Sequence, residues 1–188
     1  MTTTEKEYVL KQIDDAIRYV WMNDIASDYE SRWLLKEDTL KNAMYHYLRM
    51  KLSNLLEKYD LRIFTEFTDD KFSGTGYRPD IVIARMDFET SCNYWGKAVT
   101  ECLCILELKY KNGSVSPNII YSDYKKLQHY CEILHVECPM YMATIWEHED
   151  DETSWLSDDD IWAKNRVTEL NASYERGTET MRFYIKKH

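Results

Sequence analysis

The sequence contains few of the residues that form flexible linkers or disulfide bonds. It has three prolines, five glycines and five cysteines in 188 residues, with no internal repeat and no low-complexity tract. So few prolines and glycines leave no long flexible linker, and one domain spanning residues 1–188 is predicted. The cysteines are odd in number and lack CxxC spacing, which favours reduced thiols over disulfides or a zinc site. They are Cys92, Cys102, Cys104, Cys131 and Cys138.

Other signatures are missing as well. The sequence has no cationic region followed by an apolar core at its start, and no apolar run long enough to cross a bilayer. A cytoplasmic protein without a membrane partner is therefore predicted. The five histidines form no HxH or HExxH motif, and no P-loop or GxSxG motif is present. These absences argue against a histidine-bound zinc, a P-loop nucleotide site and a serine hydrolase.

Positive charge is also scarce. The chain has 24 Lys and Arg residues against 33 Asp and Glu residues, a formal charge of -9. Non-specific coating of nucleic acid rests on neutralising phosphates with basic side chains, so the composition argues against that class of protein. Much of the acidity falls in residues 147–160, which predict a solvated loop or flap.

Apolar residues recur with helical spacing in two N-terminal segments. The first stripe, within residues 5–28, includes Val9, Ile13 and Ile17 and predicts an amphipathic N-terminal helix. The second, from Glu37 to Leu56, includes Leu40, Met44 and Leu48. Because Glu37 begins the second stripe, its carboxylate is predicted to point inward.

Strand-like segments rich in Ile, Val, Leu and aromatic residues follow. A third helical stripe, from Ile120 to Leu134, separates the third segment from the fourth, which predicts parallel pairing between them and antiparallel pairing among the first three. The predicted fold is α/β, with a mixed central sheet flanked by helices, a core at 37–146 and a C-terminal extension at 161–188. The strands are Leu61–Phe67, Arg78–Met86, Val99–Tyr110, Met140–Trp146 and an edge strand at Met181–Lys186.

Charged residues interrupt two of these apolar strands. Asp80 opens the second strand, and Glu107 and Lys109 lie in the third, where alternation puts both on one face. A buried carboxylate needs a partner or a metal, and Mg²⁺ or Mn²⁺ prefers carboxylate oxygens. We therefore expect Asp80 and Glu107 to share a cation, with Lys109 as a base, a water-orienting group or a stabiliser of phosphate charge. The alternative is a surface ion pair between Glu107 and Lys109, with Asp80 facing water.

These residues resemble the motif of the PD-(D/E)XK nuclease superfamily, with Pro79-Asp80 as its PD and Glu107-Leu108-Lys109 as its ExK. The resemblance covers roughly residues 37–146 and implies a restriction-endonuclease-like α-β-β-β-α-β core, here with an extra N-terminal helix. It implies catalytic roles for Asp80, Glu107 and Lys109.

The resemblance also suggests further site residues. It implies that Glu37 is a metal ligand, although a first-turn glutamate is also favoured by the helix dipole. Weaker substrate-binding or accessory candidates are Glu66, Arg78, Lys126 and Gln128. Each has an ordinary alternative, such as an ion pair between Asp123 and Lys126 on a solvated helix face.

Two functions follow as hypotheses. The first is a Mg²⁺- or Mn²⁺-dependent nuclease that hydrolyses phosphodiester bonds of nucleic acid, with DNA favoured over RNA. The second is a non-catalytic or partner-dependent nucleic-acid-binding or regulatory protein of the same fold, which the acidic composition favours. A protein partner and a homo-oligomer are both left open by the sequence.

Overall fold

A computed structural model describes residues 1–68, 72, 76–89, 95–132, 136–149 and 154–188. Cys92, Leu134 and residues 150–153 of the predicted acidic loop lie outside this described part. The helices are α1 (Thr3–Tyr19), α2 (Ala26–Glu30), α3 (Glu37–Lys51), α4 (Ser53–Lys58) and α5 (Asn118–Glu132), with short helical turns at Val20–Ile25, Trp95–Ala98 and Ile161–Ala163. The strands are β1 (Leu61–Thr65), β2 (Ile81–Met86), β3 (Val99–Asn112), β4 (Met140–Glu149), β5 (Val167–Tyr174) and β6 (Met181–Lys187).

One open, mixed sheet organises the fold, with its six strands in the order of the sequence. β1, β2 and β3 pair antiparallel, β3, β4 and β5 pair parallel, and β6 returns antiparallel to β5. The predicted α/β class and strand directions are therefore confirmed. α5 lies between β3 and β4 in the chain, and a crossover helix between two adjacent strands makes them parallel.

Two apolar layers cover the sheet. On one face, α1 and α3 bury Ile13 and Leu40 against strand residues such as Leu106 and Leu108. On the other face, α5 buries Leu127 against Ile105 and Met142. Because the middle of β3 is covered on both faces, a charged side chain there is buried whichever face of the sheet it lies on. None of the described helices is long and apolar enough to cross a membrane.

The two N-terminal helices are less regular than predicted. A π-helical turn at Val20–Ile25 interrupts the first, and the chain continues as α2 to Glu30. The wider turn lets Val20, Trp21 and Ile25 all enter the core, and the Trp21 indole donates to the Asn171 carbonyl at 3.3 Å. The second stripe is split at Leu52 into α3 and α4. Hydrophobic spacing located both stripes but not these local changes in helical geometry.

The C-terminal region contributes more to the sheet than the sequence predicted. The edge strand β6 is confirmed, but β5 was missed, so the sheet extends beyond the predicted 37–146 core. Glu169 in β5 is fully buried and accepts hydrogen bonds from the backbone N–H groups of Trp155 and Leu156 at 3.1 and 3.0 Å. These contacts anchor the end of the predicted acidic loop. Its beginning, up to Glu149, belongs to β4.

Gly113 is required by a close approach between two backbones. A Cβ atom at this position would lie 2.4 Å from the carbonyl oxygen of Glu147, which is too close for any side chain. We expect Gly113→Ala to lower the free energy of unfolding by about 1–3 kcal/mol, because the turn after β3 must move away from β4. Urea denaturation measures this change. An unchanged unfolding midpoint would contradict the close approach.

Candidate active site

The three residues of the predicted motif lie together and are buried. Asp80 directly precedes β2, and the pairing of Ile81 with Leu106 brings it beside the middle of β3. Its Oδ2 accepts a hydrogen bond from the backbone N–H of Leu108 at 2.8 Å. Asp80 and Lys109 are 9% exposed and Glu107 is 0% exposed. The surface ion pair considered as an alternative is therefore wrong.

Asp80 is held by its backbone and by a lysine. Its carbonyl accepts from the N–H of Glu66 at 3.1 Å, and its Oδ1 lies 3.5 Å from the Lys41 ammonium group, which also contacts Glu66. Burial raises the pKa of Asp80, against the opposing effects of the Leu108 N–H and Lys41. Glu66 has φ of 49°, a left-handed conformation that strains a residue with a side chain, and it lies at the point where β1 ends beside Asp80.

Glu107 is the most deeply buried of the three motif residues. Its Oε1 accepts a hydrogen bond from the Tyr130 hydroxyl at 3.0 Å. Its Oε2 is buried without a hydrogen bond, and the Lys126 ammonium group lies 3.6 Å away. Burial raises the pKa of Glu107 well above its ordinary value, the nearby Asp80 raises it further, and Lys126 opposes both.

Lys109 lies between two carboxylates. Its ammonium nitrogen is 2.7 Å from Asp123 Oδ2 and 3.1 Å from Glu37 Oε2. Burial lowers the pKa of Lys109, but Asp123 and Glu37 outweigh that effect and the net shift is upward. A lysine with a raised pKa is an ammonium ion near neutral pH and has no lone pair to accept a proton. A positively charged Lys109 suits the stabilisation of phosphate charge or the orientation of a water molecule, and its role as a base stays a prediction.

Helix α5 completes the ionic network. Asp123 is 2% exposed, and its two oxygens contact Lys109 and Lys126, the latter at 2.6 Å. The predicted pairing of Asp123 with Lys126 is thus present, but it is buried instead of lying on a solvated face. The contacts run from Glu37 through Lys109, Asp123 and Lys126 to Glu107.

The weaker candidates divide into two groups. Lys126 joins the network, and Glu66 contacts Lys41, which lies 3.5 Å from Asp80. Arg78 is exposed, and the Gln128 amide donates to Glu132 at 3.2 Å along α5, so neither contacts the buried charges. Glu37 contacts Lys109 and lies 3.7 Å from Lys111.

Three residues that contact the site were not among the predicted candidates, and helical spacing contained a signal for each. They are Lys41, Asp123 and Tyr130. Lys41 lies one turn after Glu37 on α3. Asp123, Lys126 and Tyr130 are spaced by three and four residues, so they share one face of α5. Polar residues at helical spacing, in a helix that follows a strand with buried charges, are therefore the sequence signal for their partners.

Two of the three predicted metal ligands fit a divalent cation. The described residues contain no group of three or more His, Cys, Asp or Glu side chains arranged to hold a metal. Magnesium, however, is often held by one or two protein carboxylates together with water and substrate phosphate. Asp80 and Glu107 are carboxylates of that kind. Glu107 Oε2 is buried without a hydrogen bond, as are Asp123 Oδ2 and Glu37 Oε2, and each of the three oxygens lies near a lysine ammonium group. The third predicted ligand, Glu37, has Oε2 directed at the ammonium groups of Lys109 and Lys111.

Comparison with known proteins gives no relative. No family model, no curated protein and no solved structure matches the chain. The chemistry of the site therefore has to be argued from its own geometry.

Proposed function

We propose that the protein is a divalent-metal-dependent nuclease that hydrolyses phosphodiester bonds, with DNA favoured over RNA. The observation that carries the proposal is the buried Glu107 oxygen without a hydrogen bond, beside buried Asp80, whose charge raises the pKa of Glu107, with Lys126 3.6 Å away. Lys109 is buried two residues further along the same strand. The order of α3, β1, β2, β3, α5 and β4 supports a restriction-endonuclease-like core of the PD-(D/E)XK type as part of the same proposal.

Each residue has a distinct part in the proposed reaction. Asp80 and Glu107 would hold Mg²⁺ or Mn²⁺, which supplies Lewis-acid polarisation of a phosphoryl oxygen and lowers the pKa of water. Lys109, held by Asp123 and Glu37, would place a positive charge near a bound phosphate, where negative charge accumulates in the transition state. Tyr130 fixes the orientation of the Glu107 carboxylate through its hydrogen bond.

Isosteric variants test the assignment. Asp80→Asn keeps the shape of the side chain and removes its charge, so cleavage of plasmid or oligonucleotide DNA with Mn²⁺ should fall by at least about 100-fold. RNA is assayed in parallel to test the preference for DNA. Asp159→Asn is the matched control, because Asp159 is exposed and takes no part in the charge network of the described residues, and it should retain activity. Equal activity of wild type and Asp80→Asn would refute the proposal.

Metal binding is expected to depend on pH in a defined direction. Burial raises the pKa of both Asp80 and Glu107, so a fraction of the apo protein carries a proton that a metal ion must displace. Affinity for Mn²⁺ should therefore rise with pH, and binding should release protons. Calorimetry in two buffers of different ionisation enthalpy measures that release. Binding without it would contradict the raised pKa values.

A second function is favoured by charge. The network is already supplied with lysine ammonium groups, and the chain carries a formal charge of -9. A non-catalytic or partner-dependent regulatory protein of the same fold is consistent with both facts. If Mn²⁺ does not bind, and Asp80→Asn is indistinguishable from wild type, this function is preferred. A reducing, cytoplasmic setting belongs to both proposals, and the four described cysteines are free thiols.

A further inference from the structure

A cavity of about 500 Å³ opens close to the proposed active site but on the opposite face of the sheet. Tyr110 lines it and directly follows Lys109 in β3, so alternation turns the two side chains to opposite faces. The volume is that of a small-ligand site. The cavity takes no part in the proposed hydrolysis.

The cavity contains a carboxylate held in place by phenols. Glu147 Oε1 accepts hydrogen bonds from the hydroxyls of Tyr29 at 3.0 Å and Tyr110 at 2.8 Å, and the Tyr174 hydroxyl lies 2.9 Å from that of Tyr29. Burial and the bond to Glu147 raise the pKa of Tyr29 and Tyr110, so both remain neutral donors. Within the described part of the chain Glu147 Oε2 accepts no hydrogen bond, and it is not among the fully buried oxygens that lack a partner. This oxygen is therefore available to a ligand.

The lining is acidic as well as aromatic. It carries three carboxylates, Glu30, Glu147 and Glu179, and one basic residue, Arg32. The two excess negative charges repel a phosphate-bearing ligand and attract a cation. Aromatic rings combined with a carboxylate are a recurrent means of binding organic cations.

We propose that this cavity binds the guanidinium group of an arginine side chain presented by a basic protein partner. A planar guanidinium can stack on tyrosine rings and donate to a carboxylate, which an ammonium group does less well. Leu35 lines the cavity and is 76% exposed, and the nearby Trp33 is 72% exposed, so an apolar rim is available to the residues flanking the arginine. A chain with a charge of -9 also attracts basic partners at long range.

Calorimetry with matched peptides tests this binding on the full chain. The probe is the peptide acetyl-Gly-Arg-Gly-amide, and its control replaces arginine by citrulline, which has nearly the same shape without the charge. We expect the citrulline peptide to bind at least tenfold more weakly. In Glu147→Gln, affinity for the arginine peptide should fall at least tenfold, since the tyrosine donors keep an acceptor but the charge is lost.

Two further variants separate binding from folding. Glu179→Gln changes an exposed position of the lining and should cause a smaller loss of affinity. Glu57→Gln, exposed on α4 and outside the cavity, should cause none. Neither change should move the unfolding midpoint.

Several outcomes would overturn the inference. They are equal binding of the two peptides, no binding of either, and undiminished binding in Glu147→Gln. Competition between the arginine peptide and adenosine monophosphate would assign the cavity to a nucleotide instead. None of these results touches Asp80 or Glu107, so loss of the proposed nuclease function and loss of this inference can be told apart.

Discussion

The Glu107→Gln variant is expected to be inactive and yet more stable than the wild-type protein. Glu107 is fully buried, its Oε2 has no hydrogen bond, and its pKa is raised well above the ordinary value. Glutamine has the same shape and can still accept the Tyr130 hydrogen bond, but it carries no charge to desolvate. We expect the free energy of unfolding to rise by about 1–3 kcal/mol at pH 7.

The stability gained by Glu107→Gln should depend on pH. Because the folded-state pKa of Glu107 lies above the unfolded one, the folded protein holds this proton more tightly. The stability contribution of the protonated form is fully present below the unfolded pKa and is lost as pH rises through the folded pKa. Glutamine does not lose a proton, so the advantage of the variant should grow from acid to neutral pH.

Urea denaturation at pH 5 and pH 8, with a nuclease assay at pH 8, checks both halves of the prediction. Glu132→Gln removes an exposed carboxylate from the same helix that carries Tyr130, and it should change neither stability nor activity. If Glu107→Gln were inactive and less stable, Glu107 would be a structural residue and the proposed metal site would lose its main support.

Replacing Lys109 is expected to have the opposite effect on stability. Lys109→Met removes the cation between Asp123 and Glu37, and Asp123 is 2% exposed. Lys126 still pairs with Asp123, which limits the loss to about 2–4 kcal/mol. DNA cleavage should also disappear, because the proposed reaction uses the charge of Lys109 itself, and the neighbouring Lys126 and Lys41 are paired with Glu107 and Asp80.

A second substitution separates these two effects. In the double variant Lys109→Met with Asp123→Asn, the excess negative charge is removed and stability should recover to within about 1 kcal/mol of wild type. Activity should not recover. Cleavage by the double variant would mean that Lys109 serves folding alone, and denaturation curves of the single and double variants measure the coupling energy between the two residues.

The sequence predicts an element of the fold when its apolar and polar residues follow a regular pattern. β3 was recognisable because its long apolar run is buried on both faces, and α5 because its stripe is regular. β5 was missed because Glu169, Asn171 and Ser173 put polar side chains on a buried face, where the pattern calls for apolar ones. Their partners, including the backbone of residues 155 and 156, come from distant parts of the chain.

For the candidate site, the sequence identified the charges but not their partners. Asp80, Glu107 and Lys109 were visible because each interrupts an apolar strand, and their burial follows from it. The pairing of Lys109 with Asp123 and Glu37 was not visible, since α3 and α5 approach β3 only in three dimensions. The partners of the Lys109 ammonium group are therefore known only from the structure.

The open edge at β6 has a consequence for self-association. An unpaired edge strand offers backbone donors and acceptors to any other extended chain, which makes it a starting point for intermolecular sheets. Among the described strands β6 pairs with β5 alone, and Arg182, Lys186 and Lys187 project from it to the surface. Two copies meeting along this edge would bring their basic side chains together and repel each other. The same residues thus act as gatekeepers against aggregation in a chain that is otherwise acidic.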